Sequence, residues 1–417
     1  MSTNHYDILI IGSGMAGLYT AYNIQKLSPT TSFLILEKHK KQWIGGRTSN
    51  ETFYGTTVVT GAGIGRKNKD KLLIKLMDEI GIKYMPYETS IHYAQTFTPN
   101  DIVKTLKKLK GEYSKHPELH HNSFKEFFIN TLGEDLYKSF IISVGYTDYE
   151  NADVYETLYN YGMDDNKGGW TGLRIPWKEM VDRLYQLIGK NHFRFSSEVV
   201  EIKKTNLMPC VFQVKTEGGN IYTTNKVILA TTISAIKKLV SGASSKSSLY
   251  QSIRGQPFLL LYAKFNKESS EIMKKYVPTY TIVPGPLQKI IPMNANKGVY
   301  MIAYSDNYNA VLQKKYLDNN AENRHLYCDL LETSLGIPKG QLTMTAMKDY
   351  YWPIGTHYYE PLQKEFKTRN EFIYKAQHPE KGMLVVGEVV SRDQGWTEGA
   401  LESVRAVLTE QWIQTKC

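Results

Sequence analysis

Apolar positions change period in a fixed order at the start of the chain. Tyr6 to Ile11 is a mainly apolar run of β-forming residues that enters a glycine-rich turn, which predicts a strand buried on both faces. From Met15 the spacing becomes helical, through Leu18, Tyr19, Tyr22, Ile24 and Leu27, until Ser28-Pro29 stops it. Phe33-Leu34-Ile35-Leu36 is a second buried strand, closed by the acid Glu37. Strand, helix and strand make one βαβ unit. The turn inside it, Gly12-Ser13-Gly14-Met15-Ala16-Gly17, suits a pyrophosphate. Gly12 makes a tight bend, Gly14 lets backbone approach the anion, Gly17 lets helix pack on strand, and the helix start at Met15 and Ala16 offers unpaired N–H groups. Glu37, with Lys38 beside it, stands where ribose hydroxyls need an acceptor. A lone Gly-x-Gly-x-x-Gly is common in ordinary turns, so it is the order of strand, helix, strand and acid that points to a dinucleotide.

The next signal is Gly45-Gly46-Arg47-Thr48, where two glycines let backbone lie on a phosphate and Arg47 brings a guanidinium fork. After such a unit it suits a flavin nucleotide better than a nicotinamide one. A strand at 58–65 runs into Gly61-Ala62-Gly63, and an amphipathic helix over 69–80 stops at Gly81. From 86 to about 190 the pattern turns helical, with helices expected at 101–109, 123–130, 134–143 and 177–188. An aromatic and acidic stretch, 146–170, lies among them, and its Asp164-Asp165 pair reads as a solvated turn rather than an amine or cation anchor. Strands return at 193–202, in a hairpin of 211–214 with 221–222, and at 227–230. Further strands at 257–265 and 298–304 and a helix at 321–335 build a second sheet region. A last buried strand, 383–386, reaches Gly387-Glu388, and a helix follows over 397–412. The boundaries that result are 1–85, 193–250 and 351–417 for the nucleotide domain, with 86–192 and 251–350 forming the helical and the sheet parts of a substrate domain.

At 417 residues the chain can bury a sizeable core in two or three packed domains. No run nears the roughly 20 apolar residues of a membrane span, and no basic-then-apolar leader precedes the nucleotide turn, so a soluble protein is expected. Cys210, Cys328 and Cys417 lack metal-ligand spacing, which predicts a reducing, cytoplasmic setting with no metal and no disulfide framework. The net charge of +10 collects in stretches such as 104–115, where Leu106 and Leu109 keep a helical stripe. That is a solvated helix face, not a nucleic-acid site.

The ordered set of Gly12 to Gly17, Glu37, Gly45-Gly46-Arg47-Thr48, Thr60-Gly61-Ala62-Gly63, Val199-x-x-Ile202, and Gly387-Glu388 followed by Gly395-Trp396-Thr397-Glu398-Gly399-Ala400 resembles the flavin-containing amine oxidase family. That family includes monoamine and polyamine oxidases, L-amino-acid oxidases and related desaturases. The resemblance implies an α/β protein in which a Rossmann-type FAD-binding domain is interwoven with an α+β substrate domain, a mixed sheet plus a helical insertion. It further implies that Glu388, beside Gly387, holds the flavin ribityl chain, that Trp396 stands beside the isoalloxazine, and that the helix from Thr397 points its N-terminus at the flavin carbonyl edge. Val199 would meet the adenine through its backbone. A positive helix end at that place stabilises a reduced, anionic flavin, and Glu398 and Glu402 read as capping acids of the same helix.

Two departures from the family pattern stand out. The lysine usual on the first strand of the substrate sheet is replaced, in Pro257-Phe258-Leu259-Leu260, by Phe258. Where covalent members carry a cysteine, the stretch Trp352-Pro353-Ile354-Gly355-Thr356-His357-Tyr358 offers Thr356, so FAD is expected to be non-covalent. His357 or Tyr358 then takes the place of a second cage aromatic, with a structural His357 as the equal alternative. The resemblance thus implies an FAD-dependent oxidoreductase acting on a small-molecule amine by hydride transfer to flavin N5, with oxygen as acceptor and hydrogen peroxide as product. It implies neither nucleic acid nor membrane as a partner. Trp396, Phe258, His357 and Tyr358 are its candidate catalytic residues. A desaturase or dehydrogenase, a non-redox flavin enzyme and a flavin-fold binding protein are the alternatives. Loss of the lysine favours them, whereas Glu37, Arg47, Glu388 and Trp396 disfavour a flavin-free scaffold.

Overall fold

The βαβ unit forms as the sequence pattern predicts, with strand His5–Ile11, helix Met15–Leu27 and strand Phe33–Leu36. The structure, a computed structural model, describes residues 5–163, 167–205 and 211–415, so Asp164, Asp165, Cys210 and Cys417 lie outside the described residues. The first sheet runs in the order Val199–Lys204, Phe212–Thr216, Ile221–Leu229, His5–Ile11, Phe33–Leu36, Phe193–Arg194, and Met383–Val385 adds parallel to the end of Ile221–Leu229. Its inner strands become fully apolar toward their carboxyl ends, at Ile8–Ile11, Phe33–Leu36 and Val227–Leu229, because both faces are covered there. Ile8, Ile10, Phe33, Ile35, Ile228 and Leu384 enter one core, and Leu9, Ile11, Leu34, Leu36, Val227 and Leu229 enter the other.

A second sheet takes the order Met344–Tyr359, Ile253–Phe265, Val299–Asp306, Lys289–Asn294, Tyr280–Ile282, Ile91–Tyr93. Alternation again splits a continuous apolar run, Leu259, Leu261 and Ala263 facing one core while Leu260 and Tyr262 face another. Phe258 shares the side of Leu260. Four helices, Ile102–Lys115, Phe124–Leu132, Glu134–Val144 and Val154–Tyr159, close around Phe124, Phe127, Phe128 and Phe140 as a separate aromatic core.

Three expectations are corrected. The helix Trp177–Ile188 does not belong to the insertion. Its stripe of Trp177, Met180, Val181, Leu184 and Ile188 enters the nucleotide-domain core against Met15–Leu27. Periodicity defines the stripe; the path of the chain decides which core it meets. The strand expected at 193–202 is two strands, because Ser196 takes φ 51° and turns the chain. Phe193–Arg194 pairs with Phe33–Leu36, and Val199–Lys204 leaves for the far edge to pair with Phe212–Thr216. The boundary expected at 350–351 cuts a continuous strand, Met344–Tyr359, which runs beside Ile253–Phe265 along its length and ends with Tyr359 in the core under the nucleotide sheet. Smaller differences follow from caps and turns. The last helix stops at Val407, and Thr409 caps a new one, Glu410–Gln414.

Candidate functional site

Three glycine turns lie one on another at the carboxyl ends of the nucleotide-sheet strands. Gly45 N donates to Ser13 O at 2.9 Å, and Ala62 N donates to Arg47 O at 2.8 Å. Gly12 needs its left-handed φ of 107°, and a Cβ on Gly17 would sit 2.0 Å from Gly12 O, so helix and turn meet there without room for a side chain. A Cβ on Gly14 would meet nothing within 4 Å, and that space opens into a cavity of about 1900 Å³. Every residue expected to hold the nucleotide borders this cavity except Gly17, which lies beneath the turn. Glu37 is buried and organises the turn, its carboxylate accepting from Ser13 N and Oγ, each at 2.8 Å, and from His39 N at 2.9 Å. A carboxylate has about four acceptor sites, so one is left for a ribose.

Met15–Leu27 and Thr397–Val407 begin at the cavity without a side-chain cap, as do Trp177–Ile188 and Ile233–Leu239, the last with Ile233 N held by His357 Nε2, whereas Asp101, Ser123, Asp153, Asn266, Asn320 and Thr368 cap their helices. Uncapped N–H groups aimed into a cavity form a cradle for an anion or a carbonyl edge. Glu398 does not cap its own helix as expected. It reaches Leu72 N and Leu73 N at 2.7 and 2.8 Å and caps the neighbouring helix Lys71–Ile80. Burial pushes its carboxyl up to about 7, against those two N–H groups.

At the middle of the cavity Arg47 Nη1 donates to Gly355 O at 2.6 Å and to Glu388 Oε1 at 2.9 Å, so the guanidinium is tied to Glu388 rather than standing only over the phosphate turn. Glu388 Oε2 accepts from Gly395 N at 3.1 Å. His357 lies behind it. Its Nε2 accepts from Ile233 N at 3.2 Å, which leaves the ring proton on Nδ1, donated to Glu388 Oε1 at 2.5 Å. Burial alone would raise the Glu388 carboxyl, but His357 and Arg47 overcome it and hold the group well below the usual carboxylate range. Neither His357 nor Tyr358 borders the cavity, so the second-aromatic reading of both is withdrawn. The cavity takes the whole stretch 351–356, after which the strand passes beneath the nucleotide domain, with His357 against Ile233 N and Glu388 and Tyr359 in the core there.

The far end is aromatic and holds the acid Asp148. Phe258 stands opposite Trp352 across the strand pair, 5.6 Å from the Tyr304 ring and 6.5 Å from the Tyr146 ring, and Trp352 Nε1 is fixed by Thr60 O at 2.6 Å. Asp148 also borders the cavity, and Tyr161 Oη donates to its Oδ1 at 2.5 Å. Burial first, and then the Asp306 carboxylate, push Asp148 up to about 7. Lys289, fully buried against the Tyr146 ring, has no hydrogen-bond partner among the described residues. Burial pushes it well below its ordinary value against the pull of Asp306 and Asp148, so it is a poor standing counter-ion. Sequence reasoning passed over Tyr146, Asp148, Tyr161, Tyr304 and Trp352; an acid within a run of tyrosines was the available signal. Among the described residues no helix is long and apolar enough to cross a membrane, and no group of His, Cys, Asp or Glu is arranged to hold a metal.

Residues 10–80 match a family model described as an NAD(P)-binding Rossmann-like domain. The FAD-containing monooxygenase EthA of Mycolicibacterium smegmatis is 43% identical over 44 residues, 11% of this chain and 8% of that protein, so the chain spans under a tenth of that relative. Two solved structures are alike over nearly their whole length. Putrescine oxidase bound to putrescine has a TM-score of 0.73 at 15% identity, covering 97% of this chain and 98% of its own. Cyclohexylamine oxidase from Brevibacterium oxydans has 0.74 at 14%, covering 98% of each. The chain has the fold of these oxidases, a Rossmann-type domain joined to a mixed-sheet domain.

Proposed function

We propose that the chain is an FAD-dependent oxidoreductase that oxidises a small-molecule amine, with oxygen as acceptor and hydrogen peroxide as product. One observation carries this reading: a single cavity joins three glycine turns and the uncapped starts of Met15–Leu27 and Thr397–Val407 to an aromatic chamber that contains Asp148. Gly14 and the N–H groups from Met15 onward would hold the pyrophosphate, Glu37 and Lys38 a ribose, Glu388 with Arg47 the ribityl chain, and the helix start at Thr397 the carbonyl edge. Bound FAD supplies the hydride acceptor for the carbon next to the amine nitrogen. The chain's own residues bind and orient. Asp148, with the Tyr161 hydroxyl, receives the cationic nitrogen of an arriving amine, and Phe258, Trp352, Tyr304 and Trp396 exclude water and set the angle of the reacting carbon. The cavity supports non-covalent FAD, because Thr356 has no thiol and Cys328, the described cysteine, is buried in the core of the second sheet.

Purified protein is expected to be yellow, or to become so with FAD, and acid precipitation is expected to leave the flavin in the supernatant. Colour kept in the washed pellet overturns non-covalent binding; a protein that takes up no FAD removes the flavin reading. Cyclohexylamine, benzylamine or putrescine added without oxygen should bleach the flavin band. If only a carbon–carbon substrate does so, a desaturase replaces the amine oxidase. Glu37→Ala and Arg47→Ala should each weaken FAD binding by about 1.5 kcal/mol or more, roughly tenfold, the low end for a hydrogen bond to a charged group. Titration of the apoprotein measures both, and unchanged affinity removes that residue from the site.

A further inference from the structure

Behind Trp396 lies an ion cluster, two of its three members buried and Asp393 partly exposed, that the redox reading does not use. Arg66, on the short strand Gly65–Arg66, is 3% exposed, and its guanidinium carbon stands 3.8 Å from the centre of the Trp396 ring. Asp70 accepts from Arg66 N at 2.6 Å and Nε at 2.8 Å, and Asp393 pairs with Nη2. Trp396 borders the cavity whereas Arg66, Asp70 and Asp393 do not, so the guanidinium covers the indole from the protein side. Asp393 lies in the same loop as Trp396, only three residues before it. The cluster therefore grips the loop by an ion pair and holds a cation over the face of the ring. The Glu398 cap on the helix Lys71–Ile80 ties the start of the helix that follows the loop to the segment that carries Arg66 and Asp70.

A buried ion pair is a poor device for stability, since desolvating both charges offsets most of their attraction and apolar side chains would join the two segments as well. Here the geometry suits another use. A guanidinium is flat, charged and fixed by its fork to two carboxylates, and it fits an aromatic face as an ammonium does not. An indole free to turn about χ1 and χ2 would be a soft wall. One pressed against an anchored plane has a single angle.

Resting on Trp396 being a wall of the reacting chamber, we propose that Arg66 is a positioning residue which, held by Asp70 and Asp393, sets the angle of the Trp396 indole and makes that wall rigid. The test needs no substrate, so it is separate from any failure of the amine reading. In the full-length protein as purified, the near-UV circular dichroism of wild type minus Trp396→Phe isolates the Trp396 band, and acrylamide quenching is compared in the same pair. The same subtraction in an Arg66→Lys background keeps the charge for Asp70 and Asp393 but removes the flat face. The Trp396 band should fall at least twofold and its quenching rise at least twofold, with the far-UV spectrum unchanged. Asp393→Asn should move both in the same direction by a smaller amount. An unchanged band and quenching in folded Arg66→Lys overturns the proposal. If that variant does not fold, Asp393→Asn decides alone, and an unchanged Trp396 signal there overturns it equally.

Discussion

Trp396→Ala should slow flavin reduction by a saturating amine about 100-fold while changing FAD affinity by no more than about threefold. The asymmetry follows from where the ring sits. Trp396 borders the cavity as the residue before the helix Thr397–Val407, and its backbone, which the substitution keeps, starts the uncapped turn. What is lost is the indole wall. A reacting carbon held about 1 Å out of place, or free to rotate, loses on the order of 100-fold in rate, whereas the nucleotide keeps its contacts to the glycine turns and Glu37. Trp396→Phe, which restores a flat ring, should recover much of the rate. Stopped-flow absorbance of the flavin follows reduction apart from reoxidation, and titration of apoprotein gives the affinity. If reduction is untouched in Trp396→Ala, the chamber has been placed wrongly.

The other large effect is expected at Asp148. Asp148→Asn should weaken binding of a protonated amine about 10- to 100-fold, the range for losing a hydrogen bond between charged groups in a sheltered site. Because burial and then Asp306 raise its carboxyl to about 7, the pH dependence has a definite sign. The folded protein keeps the Asp148 proton at pH values where the unfolded chain has released it. Its contribution to stability therefore declines as pH rises from the ordinary carboxylate range through about 7. A bound ammonium reverses that trend, since it favours the ionised acid while an aliphatic amine remains protonated up to about pH 10. Amine affinity in the wild type should rise about tenfold between pH 6 and pH 8, and the amine should raise the melting temperature more at pH 8 than at pH 6. In Asp148→Asn both trends should flatten. An amine that binds wild type and variant alike at both pH values removes Asp148 from the binding site, whatever the chemistry of the flavin.

Much of the nucleotide half was legible in order along the chain. The two-faced burial of His5–Ile11 and Phe33–Leu36, the helical spacing from Met15 and the closing Glu37 are local patterns, and local sterics and periodicity are enough to produce them. The glycine turns belong with these, because a bend that excludes Cβ leaves its mark in the residue itself. Gly387-Glu388 and Gly395-Trp396 were visible only through the family resemblance, since alone they read as an ordinary loop-to-helix junction.

The substrate half was not legible in this way. His357 and Thr356 are neighbours in sequence, yet one is buried against Glu388 and the other borders the cavity, and only the register of Met344–Tyr359 against Ile253–Phe265 decides which. Nothing in the sequence but a run of tyrosines marks Asp148, and it is the folded insertion that sets it beside Tyr161 and toward Asp306. Arg66 and Trp396, 330 residues apart, share no local pattern at all. The sequence by itself determined the first βαβ unit and the anion-binding turns, because those follow from the reach of a few consecutive residues. The tertiary structure alone decided which acid, which arginine and which aromatic faces meet in one cavity, because a buried charge acquires its partners and its ionisation only when distant segments close over it.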